Sequence, residues 1–127
     1  MNEKYYELLK QHKEYEAWID SVFLELGIPQ NVKGYDYLMA AVLLATDEPE
    51  LIRAITRELY PRIADFFNTT ASCVERSMRH ALELAWKNSE PETLYNLFGY
   101  TASATQGRPT NSNFIATMAN KLRRAYY

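Results

Sequence analysis

Thr69, Thr70, Ser72, Glu75, Arg76 and Arg79 lie within one eleven-residue stretch of a 127-residue chain. An arginine guanidinium donates two parallel hydrogen bonds to O6 and N7 of guanine, and a carboxylate accepts one from N4 of cytosine. On a helix turning about 100° per residue, Ser72, Glu75, Arg76, Arg79 and Glu83 gather opposite Val74, Met78, Ala81 and Ala85. Arg76 and Arg79 are therefore candidates for reading guanines, and Glu75 for reading a cytosine. Thr69, Thr70 and Ser72 fall where the unpaired N–H groups of a first helical turn suit a phosphate. Arg108 is a further candidate for a phosphate, and Lys121, Arg123 and Arg124 form a basic end. Each of these readings has a plainer counterpart. Glu75 and Arg79 have the spacing of an i,i+4 ion pair, Thr70 or Ser72 suits a helix N-cap, and the basic end suits a frayed tail.

Two helices joined by a tight turn would position such a face. Pro61 fits a first helical turn, and Ile63, Ala64 and Phe67 follow at helical spacing. Asn68 then interrupts, a residue type that tolerates the left-handed backbone of a turn. A helix-turn-helix needs a small residue where its helices cross and an apolar one ten positions later. Ala64 and Val74 have that separation, which points to DNA.

The rest of the chain reads as helices around this pair. An apolar stripe runs from Glu3 to Leu26 and stops at Gly27 and Pro29. A polar link from Gln30 to Gly34 leads to a central buried helix over Tyr35 to Thr46. Asp47-Glu48-Pro49 starts a helix with Leu51, Ile52, Ile55 and Leu59 on its buried side. Ser89 and Glu92 have capping-box spacing for a short helix ending at Gly99. Residues 100–110 have a loop composition, and Asn111 or Ser112 caps a last helix with Phe114, Ile115, Met118 and Leu122 inward. The expectation is an all-α fold, a single compact domain of about six helices containing a helix-turn-helix. Residues 1–16 are either a linker or an extra N-terminal helical segment, and 17–127 are the domain proper.

Composition narrows the chemistry. Apolar residues make up 47% and charged residues 24%, ordinary for one globular domain. Net charge is −2, yet residues 93–127 carry four Lys/Arg and no acid, while residues 1–92 carry ten against sixteen acids. That asymmetry allows a basic face, with binding carried by a few placed contacts. One cysteine, Cys73, excludes an internal disulfide and fits a reducing cytoplasm. No membrane span or export signal stands out. His12, His80 and Cys73 lack the spacing of a metal site, and no glycine-rich phosphate loop occurs. No catalytic residue, cofactor or metal is expected.

The run FNTTASCVERSMRHALELAW resembles a segment of the stage-zero sporulation protein A family, the master response regulators of endospore formation in Firmicutes. LGIPQNVKGYDYL, ITRELYPRIADFFNTT, LFGYTASAT and RPTNSNFIATMANKLR resemble further family stretches in the same order, so the likeness covers roughly residues 18–124. The resemblance implies a cytoplasmic DNA-binding effector domain that activates or represses transcription at boxes of the TGTCGAA type. It implies base reading by Glu75, Arg76 and Arg79, from a recognition helix over about residues 72–87. It also implies a surface around Phe98 that faces the RNA polymerase sigma subunit, and a homodimer on tandem DNA sites. The alternative is a module that engages sigma or a full-length relative with little DNA binding of its own. Family members usually begin with a phosphorylatable receiver domain, for which 127 residues leave no room beside this domain. Cys73 and Gln106 stand where the family usually has arginine and lysine, so weakened DNA binding is expected. The lost charge at Cys73 should by itself lower the salt slope by about 0.9.

Overall fold

In the computed structural model, residues 3–98 and 108–126 are described. The central element is α3 (Lys33–Asp47), in which every residue from Tyr37 to Thr46 is buried. A helix apolar on all sides must be enclosed on all sides. Here α5 (Ala71–Asn88) and α7 (Asn111–Tyr126) form its main walls, with α2 (Lys13–Leu26) and α4 (Tyr60–Phe67) closing the rest. The remaining α-helices are α1 (Glu3–Gln11) and α6 (Pro91–Phe98). The described residues thus hold seven α-helices and no strand, an all-α fold with one continuous core.

Several local expectations are corrected. The stripe from Glu3 to Leu26 is two helices, broken at His12 (φ −132°, ψ 44°). At the bend, His12 Nδ1 lies 2.9 Å from the Leu8 carbonyl and Nε2 2.7 Å from Asp47, which docks it on the end of α3. Gly34 belongs to α3 and not to a link before it. A Cβ there would lie 2.2 Å from the Ser77 carbonyl oxygen and 2.7 Å from the Ala81 Cβ, so glycine is what lets α3 and α5 touch.

The segment after Asp47 is not one α-helix. A 3-10 helix (Pro49–Ala54) passes into a π turn (Ile55–Leu59), which runs directly into α4. Pro61 supplies the physical reason. It has no N–H to give the carbonyl four residues back, and its ring crowds that carbonyl. The chain takes the wider spacing instead, with the Tyr60 N–H donating to the Ile55 carbonyl. Ser89 does not cap α6. Its hydroxyl turns to the carbonyls of Ala85 (2.6 Å) and Leu26, and the first helical bond of α6 is accepted by Glu90. The cap of α7 is Thr110, whose Oγ1 accepts from the Asn113 N–H at 3.1 Å.

The end of the chain is helical through Tyr126 and not a frayed tail. Arg123 donates to the Ala45 carbonyl at 3.2 Å, fastening α7 to the last turn of α3. Gly27 closes α2 in the left-handed conformation (φ 77°), where the Ile28 N–H reaches the Phe23 carbonyl. Among the described residues no helix is long and apolar enough to cross a membrane.

Candidate nucleic-acid interface

The helix pair is α4 and α5, and its turn is three residues long. Ala64 and Val74 are both buried at the crossing. Asn68 takes the left-handed conformation (φ 53°, ψ 50°), and the Thr69 N–H returns to the Ala64 carbonyl at 3.0 Å. Thr70 is extended and caps α5, its Oγ1 accepting from the Cys73 N–H at 3.1 Å. Capping satisfies part of the first turn, and the N–H groups of Ala71 and Ser72 still point outward along the axis.

The back of α5 is Val74, Met78, Ala81, Leu82 and Ala85, all fully buried against α3 and α4. That wall fixes the opposite side. Ser72 and Arg76 are exposed, and the Arg76 Nε lies 3.4 Å from the Ser72 carbonyl. Glu75 and Arg79 are half-exposed and paired, one guanidinium nitrogen lying 2.8 and 3.0 Å from the two carboxylate oxygens. The ion-pair alternative thus describes the molecule without DNA. At an exposed i,i+4 site such a pair contributes about 0.3–0.5 kcal/mol, little to give up for a base.

Two hollows flank this face. One, of about 380 Å³, runs between the start of α3 and α5 and is lined by Lys33, Gly34, Cys73, Arg76, Ser77 and His80 among others. None of its lining residues is an acid. The Cys73 thiol is held below its usual value by hydrogen bonding with Thr69 and Ser77, with Lys33 and Arg76 adding to the effect. The other hollow, about 300 Å³, places Arg79 and Arg108 together with Glu75, Tyr60 and Asn111. Arg108 is mostly covered, 3.4 Å from the Glu83 carboxylate and 3.2 Å from the Pro109 carbonyl.

Glu75, Arg76, Arg79, Thr70, Ser72 and Arg108 therefore form one continuous region. Thr69 stands at its edge with its hydroxyl turned toward Cys73 and Tyr37. Phe98 is the last residue of α6, but its side chain lies outside the described residues, as does Gln106. Sequence reasoning passed over Lys33 and His80, which join the region only because Gly34 brings α3 against α5.

It also misassigned Asn111. This residue is buried, and its Nδ2 donates to the Glu75 backbone carbonyl (3.0 Å) and to the Tyr60 hydroxyl (3.2 Å). It ties α7 to both helices of the pair. Nothing in a Thr-Asn-Ser run distinguishes the capping residue from the one that turns inward. Among the described residues no group of three His, Cys, Asp or Glu is placed to hold a metal ion.

The geometry is that of a helix-turn-helix with a polar outer face, and comparison with known families agrees. A family model described as the C-terminal part of the sporulation initiation factor Spo0A matches residues 19–122. The match begins inside α2, takes in the helix pair and both hollows, and ends within α7. With most of its length matched, the chain belongs to the family of the Spo0A C-terminal domain, DNA-binding regulators of transcription of the sporulation-initiation type.

Proposed function

We propose that α5 is a recognition helix that enters the major groove of duplex DNA and reads a short TGTCGAA-like box through Glu75, Arg76 and Arg79. The observation that carries this is the fully buried wall from Val74 to Ala85, which holds those three side chains outward at the exposed start of a long helix. On contact, Arg79 exchanges its Glu75 partner for guanine O6 and N7, and the released carboxylate accepts from a cytosine N4. Arg76 makes the second guanine contact. Thr70, Ser72 and Arg108, with Thr69 beside them, meet phosphates on either side of the groove. Cys73 adds no charge in this patch, which makes the grip weaker and less dependent on salt.

The sigma subunit is assigned to α6 and Phe98. Tyr95 on that helix is 53% exposed, an aromatic side chain left open to a partner. Two copies on tandem boxes complete the reading.

Titration of a box-containing duplex and a scrambled duplex of equal length tests the proposal. The box should bind more tightly, and Arg79→Ala should cost about 1–3 kcal/mol on the box alone. Equal affinity for the two duplexes would contradict sequence reading. Recovery of polymerase with the protein, insensitive to Arg76 and Arg79, would favour the interaction-module reading instead.

A further inference from the structure

The first helix, α1, precedes the segment that the family model matches, yet its packing leads straight to the turn that aims α5. Tyr5 is buried with its ring centroid 4.7 Å from that of Phe67, the last residue of α4. Phe67 in turn meets the ring of Tyr37 on α3 edge-on at 4.9 Å. Tyr37 is buried on α3, the helix against which α5 packs most extensively. Tyr5, Phe67 and Tyr37 thus form a column of rings running from α1, past the last residue before the turn, to α3, the wall on which α5 rests.

Two polar ties hold α1 in place. The Tyr5 hydroxyl donates to Asp36 Oδ1 at 3.2 Å, and Lys4 pairs with Asp65 on α4. Leu8, one helical turn on, is buried in the same core. Phe67 is the last helical residue before the left-handed Asn68, so the side chain Tyr5 grips is the one from which the turn departs.

We infer that Tyr5 is a positioning residue for DNA reading. Through Phe67 and Tyr37 it fixes the angle at which α5 leaves the turn, and so how well Arg76 and Arg79 meet the base edges. This rests on the reading of α5 as the recognition helix. The competing possibility is that α1 only fastens the fold, in which case loss of Tyr5 lowers stability and leaves selectivity alone.

The test uses the full chain as wild type, Tyr5→Leu, Tyr5→Phe and Phe67→Leu, at a temperature where thermal unfolding shows each one folded. Phe67→Leu removes the middle ring and carries the test should Tyr5→Leu fail to fold. Backbone amide NMR shifts of residues 69–76 are recorded without DNA, and affinities are measured for box and scrambled duplexes, with Arg79→Ala alongside. Tyr5→Leu and Phe67→Leu should move the amide shifts and lower the box-to-scrambled ratio by about threefold to tenfold, with scrambled binding unchanged. Tyr5→Phe should keep both at the wild-type level. A lower melting temperature with unmoved amide shifts overturns the proposal. A moved set of shifts with an unchanged ratio, while Arg79→Ala still lowers that ratio, overturns it too. Should wild type and Arg79→Ala both fail to distinguish the duplexes, the recognition reading fails, and the amide shifts still decide whether the column sets the turn.

Discussion

At the scale of single residues, the proposed interface is made of side chains already engaged with the protein itself. Arg79 sits on Glu75 and Arg108 faces Glu83, both at part-exposed positions where pairing is weak. Arg79→Ala should therefore leave thermal stability within about 0.5 kcal/mol of wild type, because a part-exposed i,i+4 pair contributes little to the fold. Asn111 is the opposite case. Its amide is buried between α7, the Tyr60 hydroxyl and the Glu75 carbonyl, so Asn111→Ala should cost about 1–3 kcal/mol in chemical denaturation by stranding those partners. The outward group on α5 was legible in the sequence because a 3.6-residue period separates Val74, Met78, Ala81 and Ala85 from the charged side chains. Asn111 was not, since burial of a polar group next to a helix cap depends on which distant helix lies across from it. Here that helix is α4, fifty-one residues away in the chain.

At the scale of helices, the small residues decide the geometry. Gly34→Ala gains about 1 kcal/mol in helix propensity but sets a Cβ 2.2 Å from a backbone carbonyl that cannot rotate away. Overpacking of this kind costs about 1–3 kcal/mol, and contact with backbone puts it at the upper end, so a net loss of about 2 kcal/mol should appear in a denaturant melt. The same change should spread α3 from α5 and separate Lys33 from Arg76. Asn68 tests the turn. Asn68→Gly should be close to neutral, while Asn68→Ala, forced to φ 53°, should lose about 1 kcal/mol or more. The helix pair and its turn were readable because Ala64, Asn68 and Val74 are local signals. The break at His12 and the π turn before Pro61 were not. The first depends on a tertiary demand, the docking of His12 on Asp47; the second arises because Pro61, which equally suits a helix start, here continues one helix into the next.

At the scale of the molecule, the all-α fold and its central helix followed from composition and period alone, since a stretch as apolar as Tyr35 to Thr46 has to be surrounded. Its ion pairs add a modest pH dependence. Hydrogen bonding from Arg62 holds the Glu48 carboxyl below its ordinary value, through contacts of 2.9 and 3.0 Å. A carboxyl depressed in the folded state contributes stability that is present above its unfolded pKa and lost as pH falls through the folded one. Both partners are about 40% exposed, so the contribution is below about 1 kcal/mol, and Arg62→Met should remove it at neutral pH but not in acid. Burial pushes Glu16 and Asp36 the other way, so their share of stability grows as pH falls. None of this touches the central claim, that the start of α5 reads bases. A cycle across the interface tests that claim most directly: wild type and Arg79→Ala, each titrated against the box and against duplexes with one guanine replaced at a time. At one guanine, and not at the others, wild type should lose about 1–3 kcal/mol while Arg79→Ala loses almost nothing further. Equal losses for both proteins at every position would contradict it.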